Sequence, residues 1–382
     1  MHNNFPNTQQ GNFNSAPRPT LPPRLPTRCP YSFKILPDQS AGYSPFAKDT
    51  QGQPQELPEG WAHSGTITFA MAGARSSGKS LYIAVVVKQL RELVVANGGT
   101  FRAANDYTEQ TYREKYEEPL FENMGLLPPT PPSANPDAHQ REPLIFDIGY
   151  YARGAEGQMQ KIFVVFRDVA GEDLKQEGFG QRVPQLEFFR HAQSIIFLYD
   201  PMAVPRIRDL LAGTVSANEV AADNPTDILK NVLRVLGEDH RPAIALTLSK
   251  FDTMQHLEKV DQLSGVSAID GGVNWQRVMR NKGAAFCREG SAFQDVYDMD
   301  DGSLLHQAVL SMLRSLQAVE MINTLNQPMF GRRAYIYKCF AVSALGEPPT
   351  SDQVSSSGIA PFRCLDPIRI LLHTYKIFPN TH

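Results

Sequence analysis

Short apolar runs rich in β-branched and aromatic residues recur along the chain from Gly65 onward, and each run ends in polar or glycine-rich residues. Such runs are typical of buried β-strands. Six strands are predicted, at Thr66–Gly73, Leu144–Tyr150, Lys161–Asp168, Ser194–Asp200, Ala243–Ser249 and Tyr335–Ser343. Helical patterns separate most of these strands, at Ser80–Ala96, Gln185–His191, Asp227–Leu236 and Leu304–Leu325. This alternation predicts an α/β fold, a three-layer sandwich in which helices cover both faces of a mostly parallel sheet.

One pair of predicted strands departs from this alternation. A short glycine-containing connection, Arg153–Gly157, joins Leu144–Tyr150 to Lys161–Asp168. Parallel neighbours need a crossover of a dozen or more residues, whereas antiparallel neighbours can be joined by a tight turn. We therefore expect a hairpin, and a sheet of about six strands with one antiparallel edge strand.

Residues 1–60 differ in composition from the rest of the chain. They hold 11 of the 29 prolines, separated mainly by Asn, Gln and Ser. A segment of this kind buries too little apolar area to offset its chain entropy, so it is predicted to be largely disordered or loosely draped over the rest of the protein. Residues 61–382 are predicted to form one domain with two inserts, at about 98–142 and about 253–333, the second helical.

Composition excludes several classes of protein. The chain has 37 Lys and Arg against 40 Asp and Glu, a net charge of −3, so direct binding to nucleic acid or to an anionic membrane is not expected. No apolar run reaches the length of a membrane span, and the first ten residues do not resemble a secretory signal. The four cysteines are far apart and form no CxxC pair, so no zinc site is expected. A cytoplasmic protein is predicted.

The segment TITFAMAGARSSGKS joins a predicted strand to a predicted helix and contains G-x-x-x-x-G-K-[ST], the Walker A motif or P-loop. Gly73 and Gly78 let the backbone curl so that successive N–H groups face a β-phosphate, and the helix N-terminus adds partial positive charge. Lys79 is expected to contact the β- and γ-phosphate oxygens, and Ser80 to ligate Mg²⁺. The residues predicted to bind the nucleotide here are Gly73, Ala74, Arg75, Ser76, Ser77, Gly78, Lys79, Ser80 and Leu81.

A second motif follows the strand KIFVVFRDVAGED, where Asp168 and Gly171 form D-x-x-G. A carboxylate at this strand end can reach the Mg²⁺ beside Ser80, usually through water. Gly171 can turn a backbone N–H toward a γ-phosphate, which makes the next loop nucleotide-sensitive. Glu172 stands where related hydrolases often carry Gln, and it either orients the attacking water or is a solvated loop residue; Asp173 is its nearby competitor.

Two further segments predict guanine recognition. Ser249, Lys250 and Asp252 match the last three defined positions of [N/T]-K-x-D, with Ser in place of Asn. The Asp252 carboxylate can accept from guanine N1–H and N2–H, which adenine does not offer, while the Lys250 stem covers the base. The short Ser249 hydroxyl is expected to tie this loop only partly to the P-loop. Beyond the last predicted strand lies an S-A-[KL]-like element whose backbone N–H would contact guanine O6, formed by Ser343, Ala344 and Leu345.

With these four elements in this order, the chain from about Gly65 to Phe378 resembles a TRAFAC-type P-loop GTPase. The phrases RDVAGEDL, SIIFLYDP and LTLSKFD are most similar to the bacterial double-GTPase families of conflict and defence gene neighbourhoods. The resemblance implies a second GTPase or other subunits as partners. Members of these families can carry an N-terminal zinc ribbon with CPxC pairs; here Cys29 is retained and Ser32 stands where a second Cys would be, so no zinc is expected.

The first switch is the least certain part of the pattern, because 89 positions separate Lys79 from Asp168 (168 − 79). A GTPase needs a Thr here whose hydroxyl ligates Mg²⁺ and whose N–H meets the γ-phosphate. Thr130 is the leading candidate, since it lies in an extended Pro-rich segment before the hairpin. The alternatives are Thr100, Thr108 and Thr111.

The combined prediction is a Mg²⁺-dependent molecular switch that hydrolyses GTP to GDP and phosphate, slowly without a partner, in a multi-protein bacterial defence system. Lys79, Thr130 and Glu172 are the residues expected to act in hydrolysis, and Ser80, Thr130 and Asp168 to hold Mg²⁺. Arg75 either reaches phosphate oxygens as an internal arginine finger or points to solvent or an interface. Two alternatives stay open: a non-hydrolysing scaffold that keeps nucleotide as a structural cofactor, and an ATP-using P-loop enzyme.

Overall fold

A computed structural model describes residues 21–49, 51–128, 131–132, 142–213, 215, 223–263 (backbone only at 261–263), 273–289, 297–349, 353–355 and 357–378. Within these ranges the chain forms a two-stranded hairpin and a seven-stranded sheet. The strands are β1 Tyr43–Lys48, β2 Pro54–Glu56, β3 Gly65–Ala72, β4 Arg102–Ala103, β5 Leu144–Arg153, β6 Gln158–Arg167, β7 Ser194–Tyr199, β8 Ala243–Leu248 and β9 Tyr337–Ala341.

The large sheet has the order β4-β5-β6-β3-β7-β8-β9. Strands β6, β3, β7, β8 and β9 are parallel, whereas β5 is antiparallel to both of its neighbours. The predicted α/β class, the mostly parallel sheet and the hairpin are therefore confirmed. The antiparallel edge of the sheet is confirmed as well, and it holds one strand more than predicted, because β4 pairs outside β5 through Arg102↔Asp147 and Ala103↔Phe146. A two-residue strand is too short to show any periodicity in the sequence.

The α-helices are α1 Lys79–Ala96, α2 Asp106–Tyr112, α3 Phe179–Arg182, α4 Pro205–Leu211, α5 Pro225–Leu236, α6 Phe251–Met254, α7 Leu257–Leu263, α8 Trp275–Met279, α9 Met299–Ser315, α10 Glu320–Asn326 and α11 Asp366–Thr374. A π-helix covers Arg113–Glu122, and 3₁₀-helices cover Gly171–Leu174, Val183–His191, Pro201–Ala203 and Ala285–Cys287. No helix within the described ranges is long and apolar enough to cross a membrane.

The long helix predicted at Leu304–Leu325 is two helices, α9 and α10. The break lies at Gln317, whose φ of 56° is left-handed, and the Ala318 N–H donates to the Leu313 carbonyl at 2.8 Å. This arrangement closes a helix C-terminus. Apolar residues continue at helical spacing on both sides of the break, so the sequence pattern does not mark it.

Part of residues 1–60 is folded, and the prediction of a largely disordered segment is wrong for 21–49 and 51–60; residues 1–20 and 50 lie outside the described ranges. Cys29, Phe33 and Leu36 are buried. The Gln160 side chain accepts from the Leu25 N–H at 2.9 Å and donates to the Leu25 carbonyl at 2.8 Å. Prolines suit an extended path, and apolar residues between them can be buried against the domain, as Phe33 is against Phe188.

The parallel strands place their carboxyl ends at one edge of the sheet. The P-loop follows β3, Asp168 follows β6, Asp200 follows β7, and the segments beginning at Ser249 and Val342 follow β8 and β9. Ligands of open α/β sheets bind outside the carboxyl ends of the strands. The strand order therefore brings the four sequence motifs to one rim.

Candidate functional site

A cavity of about 810 Å³ opens at this rim. Nearly all of the residues predicted to bind nucleotide line it: Arg75, Ser76, Ser77, Gly78, Lys79, Ser80, Leu81, Gly171, Glu172, Ser249, Lys250, Asp252, Ser343, Ala344 and Leu345. Of the other predicted residues, Gly73, Ala74 and Asp168 are not among the lining residues. Residues 268 positions apart (343 − 75) thus meet in one cavity.

The P-loop leaves β3 along a path that only glycine allows at its first position. Gly73 has φ 149°, and a Cβ there would lie 2.2 Å from the Leu198 carbonyl oxygen and 2.8 Å from Ser77 Oγ. Gly78 has φ 85° and caps α1. The N-terminus of α1 therefore faces the cavity, where its free N–H groups can bind phosphate.

Lys79 is buried at the floor of the P-loop. Its Nζ donates to the Gly73 carbonyl at 3.0 Å and to the Ala74 carbonyl at 3.1 Å. Burial lowers the pKa of Lys79, an effect that Asp168 and Glu172 oppose. A desolvated ammonium at the start of a helix is a suitable site for an anion such as a phosphate chain.

Asp168 is the best candidate for a metal-linked carboxylate. One oxygen accepts from the Val169 N–H at 2.8 Å, whereas Oδ2 is buried and has no hydrogen-bond partner among the residues that the structure describes. Burial raises the pKa of Asp168 to about 6, although Lys79 acts in the opposite direction. An orphaned carboxylate oxygen at this strand end suits Mg²⁺ or one of its waters, so the residues present fit that ion.

The D-x-x-G loop packs directly on the P-loop. A Cβ at Gly171 would lie 2.3 Å from the Arg75 backbone nitrogen, so the two loops could not approach so closely with any other residue. The next residue, Glu172, forms an ion pair with Arg75, with Arg75 Nη1 3.3 Å from Glu172 Oε1. Glu172 lines the cavity, whereas its competitor Asp173 is buried outside the lining.

The predicted base-recognition motifs are joined by a hydrogen bond. The Ser343 hydroxyl donates to Asp252 Oδ1 at 2.6 Å and accepts from the Gly346 N–H at 2.9 Å. Asp252 is buried, and burial raises its pKa, although Ser343 and Lys250 act against that shift. The carboxylate is therefore held in a fixed orientation at the cavity wall.

Ser249 differs from its expected contact. Its hydroxyl donates to the Tyr199 carbonyl at 2.9 Å, so it ties the base-recognition loop to the end of β7. The expectation of a partial tie to the P-loop is therefore wrong. A serine side chain is too short to extend beyond the neighbouring strand. An asparagine side chain is longer than that of serine.

The described residues do not identify which candidate is the threonine of the first switch. Thr130 lies outside the described residues, although Pro128, two positions earlier, lines the cavity. Thr108 is buried, and its hydroxyl accepts from the Ile145 N–H at 3.1 Å. Thr100, Thr108 and Thr111 are absent from the cavity lining. Thr130 therefore stays a prediction, and the path of the described chain is compatible with it.

Two features of the site escaped the sequence patterns. The first is Asp200, which pairs with Lys250. The second is a pair of segments, Leu126–Pro128 and Glu347–Pro349, that both line the cavity and that we call the rim segments. Near them Val354 N–H donates to the Met124 carbonyl at 3.0 Å. Asp200 ends a predicted strand as Asp168 does, and this signal could have indicated it.

Comparisons with known proteins agree with this geometry. The sequence model of the family described as Double-GTPase 2 matches residues 67–286, more than half of the chain. The curated protein "Putative ESX-1 scaffolding and assembly protein SaeC" of Mycolicibacterium smegmatis is 41% identical over 313 residues, which cover 82% of this chain and 76% of that protein.

Solved structures resemble the chain only distantly. Bacterial selenocysteine-specific elongation factor EF-Sec is 12% identical with a TM-score of 0.25, over 81% of this chain and 29% of that chain. The S. cerevisiae Ski7 GTPase-like domain, bound to GTP, is 8% identical with a TM-score of 0.28, over 83% of this chain and 51% of that chain. The chain thus spans between about a third and a half of the length of these structures.

Proposed function

This chain belongs to the Double-GTPase 2 family of P-loop GTPases, and we propose that it is a Mg²⁺-dependent switch that binds GTP and hydrolyses it to GDP and phosphate. The observation that carries the proposal is the Asp252–Ser343 hydrogen bond in the same cavity as the P-loop. A fixed buried carboxylate opposite a phosphate-binding loop is suited to a guanine nucleotide.

Each part of the cavity has a role in this proposal. Lys79 and the P-loop N–H groups hold the phosphates, and Ser80 with Asp168 holds Mg²⁺, which neutralises phosphate charge when bound. Thr130 would complete the metal site. Glu172 orients the attacking water, and Asp252 with Lys250 selects guanine. We also propose that residues 61–382 form the GTPase domain, with inserts at about 98–142 and about 253–333.

The alternative of a non-hydrolysing scaffold is favoured by one observation. Glu172, the residue proposed to orient water, is paired with Arg75 rather than directed freely into the cavity. The SaeC relative is named a scaffolding and assembly protein. We infer that this chain too acts with other subunits, among them a second GTPase, whether in an assembly role or in a conflict and defence system.

The other alternative, an ATP-using enzyme, has less support. Adenine presents an acceptor at N1 and a donor at N6, so it cannot donate two hydrogen bonds to the Asp252 carboxylate as guanine does. The Ser343 hydroxyl donates a hydrogen bond to Asp252. This bond fixes the orientation of the carboxylate, which can then accept hydrogen bonds from the base.

The proposal is tested with freshly purified protein. Nucleotide extracted after denaturation is expected to be GDP or GTP, identified by mass, and a Lys79→Ala variant should contain none. Single-turnover phosphate release from bound GTP then separates a slow hydrolase from a scaffold. Release that stays absent, with or without cell extract that supplies partners, would favour the scaffold; bound adenine nucleotide would overturn the proposal.

Chelation of Mg²⁺ is expected to speed nucleotide release. With EDTA, fluorescent GDP should dissociate at least about tenfold faster, because the phosphate charge is no longer shared between the ion and Lys79. Asp168→Asn should remove most of this difference, since an amide no longer holds the metal or its water with a charge. Release measured by stopped-flow fluorescence checks this, and equal EDTA sensitivity in both proteins would contradict the role of Asp168.

The backbone contact beside the rim segments is expected to slow nucleotide exchange. Met124 and Val354 lie close in sequence to the two rim segments, and Gly125 and Gln353 form a β-bridge next to them. Val354→Pro removes the N–H that donates to Met124, so GDP release should accelerate about fivefold, as expected for loss of one hydrogen bond. Gln353→Ala is the matched control, because its side chain is exposed and its backbone is unchanged. Equal release rates in the two variants would show that the contact does not limit exchange.

A further inference from the structure

We propose that Asp200 is a positioning residue for base recognition, acting through Lys250. This inference rests on the proposed function, because it concerns the guanine end of the same cavity. No sequence motif that predicts guanine binding includes this residue. It lies at the carboxyl end of β7, next to the strand that leads into the base-recognition loop.

The geometry gives each oxygen of Asp200 a separate partner. Oδ1 accepts from the Met202 N–H at 2.8 Å, which caps the 3₁₀-helix Pro201–Ala203. Oδ2 lies 2.8 Å from Lys250 Nζ. The carboxylate is buried, with 3% of its side chain exposed, whereas the Lys250 side chain is 28% exposed. A rigid anion therefore holds the end of a more mobile cation.

Lys250 needs such an anchor because its stem is the part proposed to cover the base. Its backbone is left-handed, with φ 47°, and the following N–H, that of Phe251, donates to the Val342 carbonyl at 3.0 Å. The backbone is thus fixed, but a lysine side chain has four further rotatable bonds and loses considerable entropy when ordered. The ion pair to Asp200 selects one direction for the stem before any ligand binds.

Charge supports the same assignment. Asp200 and Asp252 both line the cavity, and Lys250 forms an ion pair with Asp200 and acts to lower the pKa of Asp252. Asp200 adds to the effect of burial in raising the pKa of Asp252, and Lys250 opposes that shift. Asp200 thus keeps Lys250 where it also supports the charge on Asp252, the group proposed to read the base.

Asp200→Asn tests this inference. The amide keeps the side-chain shape and an oxygen for the Met202 N–H, but loses the charge that holds Lys250. GDP affinity is expected to fall about tenfold, as for loss of a charge-assisted contact. Affinity for inorganic tripolyphosphate, which occupies only the phosphate end, should stay within twofold of wild type. A purely structural role would weaken both ligands, so that result would overturn the inference.

A double-mutant cycle identifies the route of the effect. Lys250→Met removes the ammonium and keeps the stem, so Asp200→Asn added to Lys250→Met should lower GDP affinity no further. Additive losses would overturn the inference while leaving guanine binding intact. Wild-type protein that binds tripolyphosphate but no guanine nucleotide would instead overturn the proposed function. Thermal unfolding of each variant shows whether the fold is retained.

Discussion

Asp252→Asn is expected to lower GTP affinity about a hundredfold or more and to make xanthosine triphosphate the preferred ligand. The wild-type carboxylate can accept two hydrogen bonds from guanine N1–H and N2–H, and sites that pair buried polar groups discriminate strongly against ligands that leave them unpaired. Asparagine replaces one acceptor by a donor, which matches the acceptor that xanthine carries in place of the guanine amino group. Competition binding with a fluorescent nucleotide measures both affinities.

Ser343→Ala is the matched comparison for this experiment. It keeps the Asp252 carboxylate but removes the hydroxyl that donates to Oδ1 at 2.6 Å. We expect a smaller loss of GTP affinity, about tenfold, without any gain for the xanthine nucleotide, because the charge that reads the base is still present. If Asp252→Asn binds GTP as wild type does, the carboxylate does not contact the base and the proposed guanine selectivity is wrong.

The sequence was sufficient to predict the sheet and most of the cavity. Strand predictions held because β3, β7 and β8 are buried along nearly their whole length, and β6 is buried over Ile162–Phe166, so that each contains a continuous apolar run. The P-loop was predictable since its glycines are required by backbone geometry: at Gly73 a side chain would meet the Leu198 carbonyl. Where backbone geometry allows only one residue type at a position, a single sequence is enough to predict that part of the structure.

The remaining features depend on contacts between distant segments. The Leu25 backbone is hydrogen-bonded to the Gln160 side chain, 135 positions away, and nothing in the sequence near Leu25 indicates that partner. The Met124–Val354 contact is made by backbone atoms, which any residue except proline can supply, so it has no sequence pattern. Asp200 acts through Lys250, whose own motif was recognised without it. Tertiary partners of this kind follow from the fold rather than from local periodicity.

The ion pair between Arg75 and Glu172 bears on whether the chain hydrolyses GTP. Both side chains lie at the P-loop end of the cavity, with Arg75 Nη1 3.3 Å from Glu172 Oε1, and the Arg75 side chain is 56% exposed. Two possible roles for Arg75 predict very different effects of its removal on the rate of hydrolysis. Loss of an arginine that stabilises transition-state charge lowers the rate about 10³-fold or more. Loss of an exposed ion pair costs at most about 1 kcal/mol, which corresponds to a change in rate of roughly fivefold.

Glu172→Ala is expected to lower the single-turnover rate of GTP hydrolysis about a hundredfold, the smaller end of the range for a lost catalytic base, while GDP affinity stays unchanged. Glu172→Gln should retain most of the rate, because the amide can still orient water.

Arg75→Ala should change the rate by no more than about fivefold, and upward, since Glu172 is then released from its partner. A large loss in Arg75→Ala would instead assign Arg75 to the reacting phosphate. Equal rates in wild type and Glu172→Ala would leave Glu172 a partner of Arg75 with no part in hydrolysis. Because the same ion pair favours the scaffold alternative, these three variants decide between a restrained hydrolase and a protein that only holds its nucleotide.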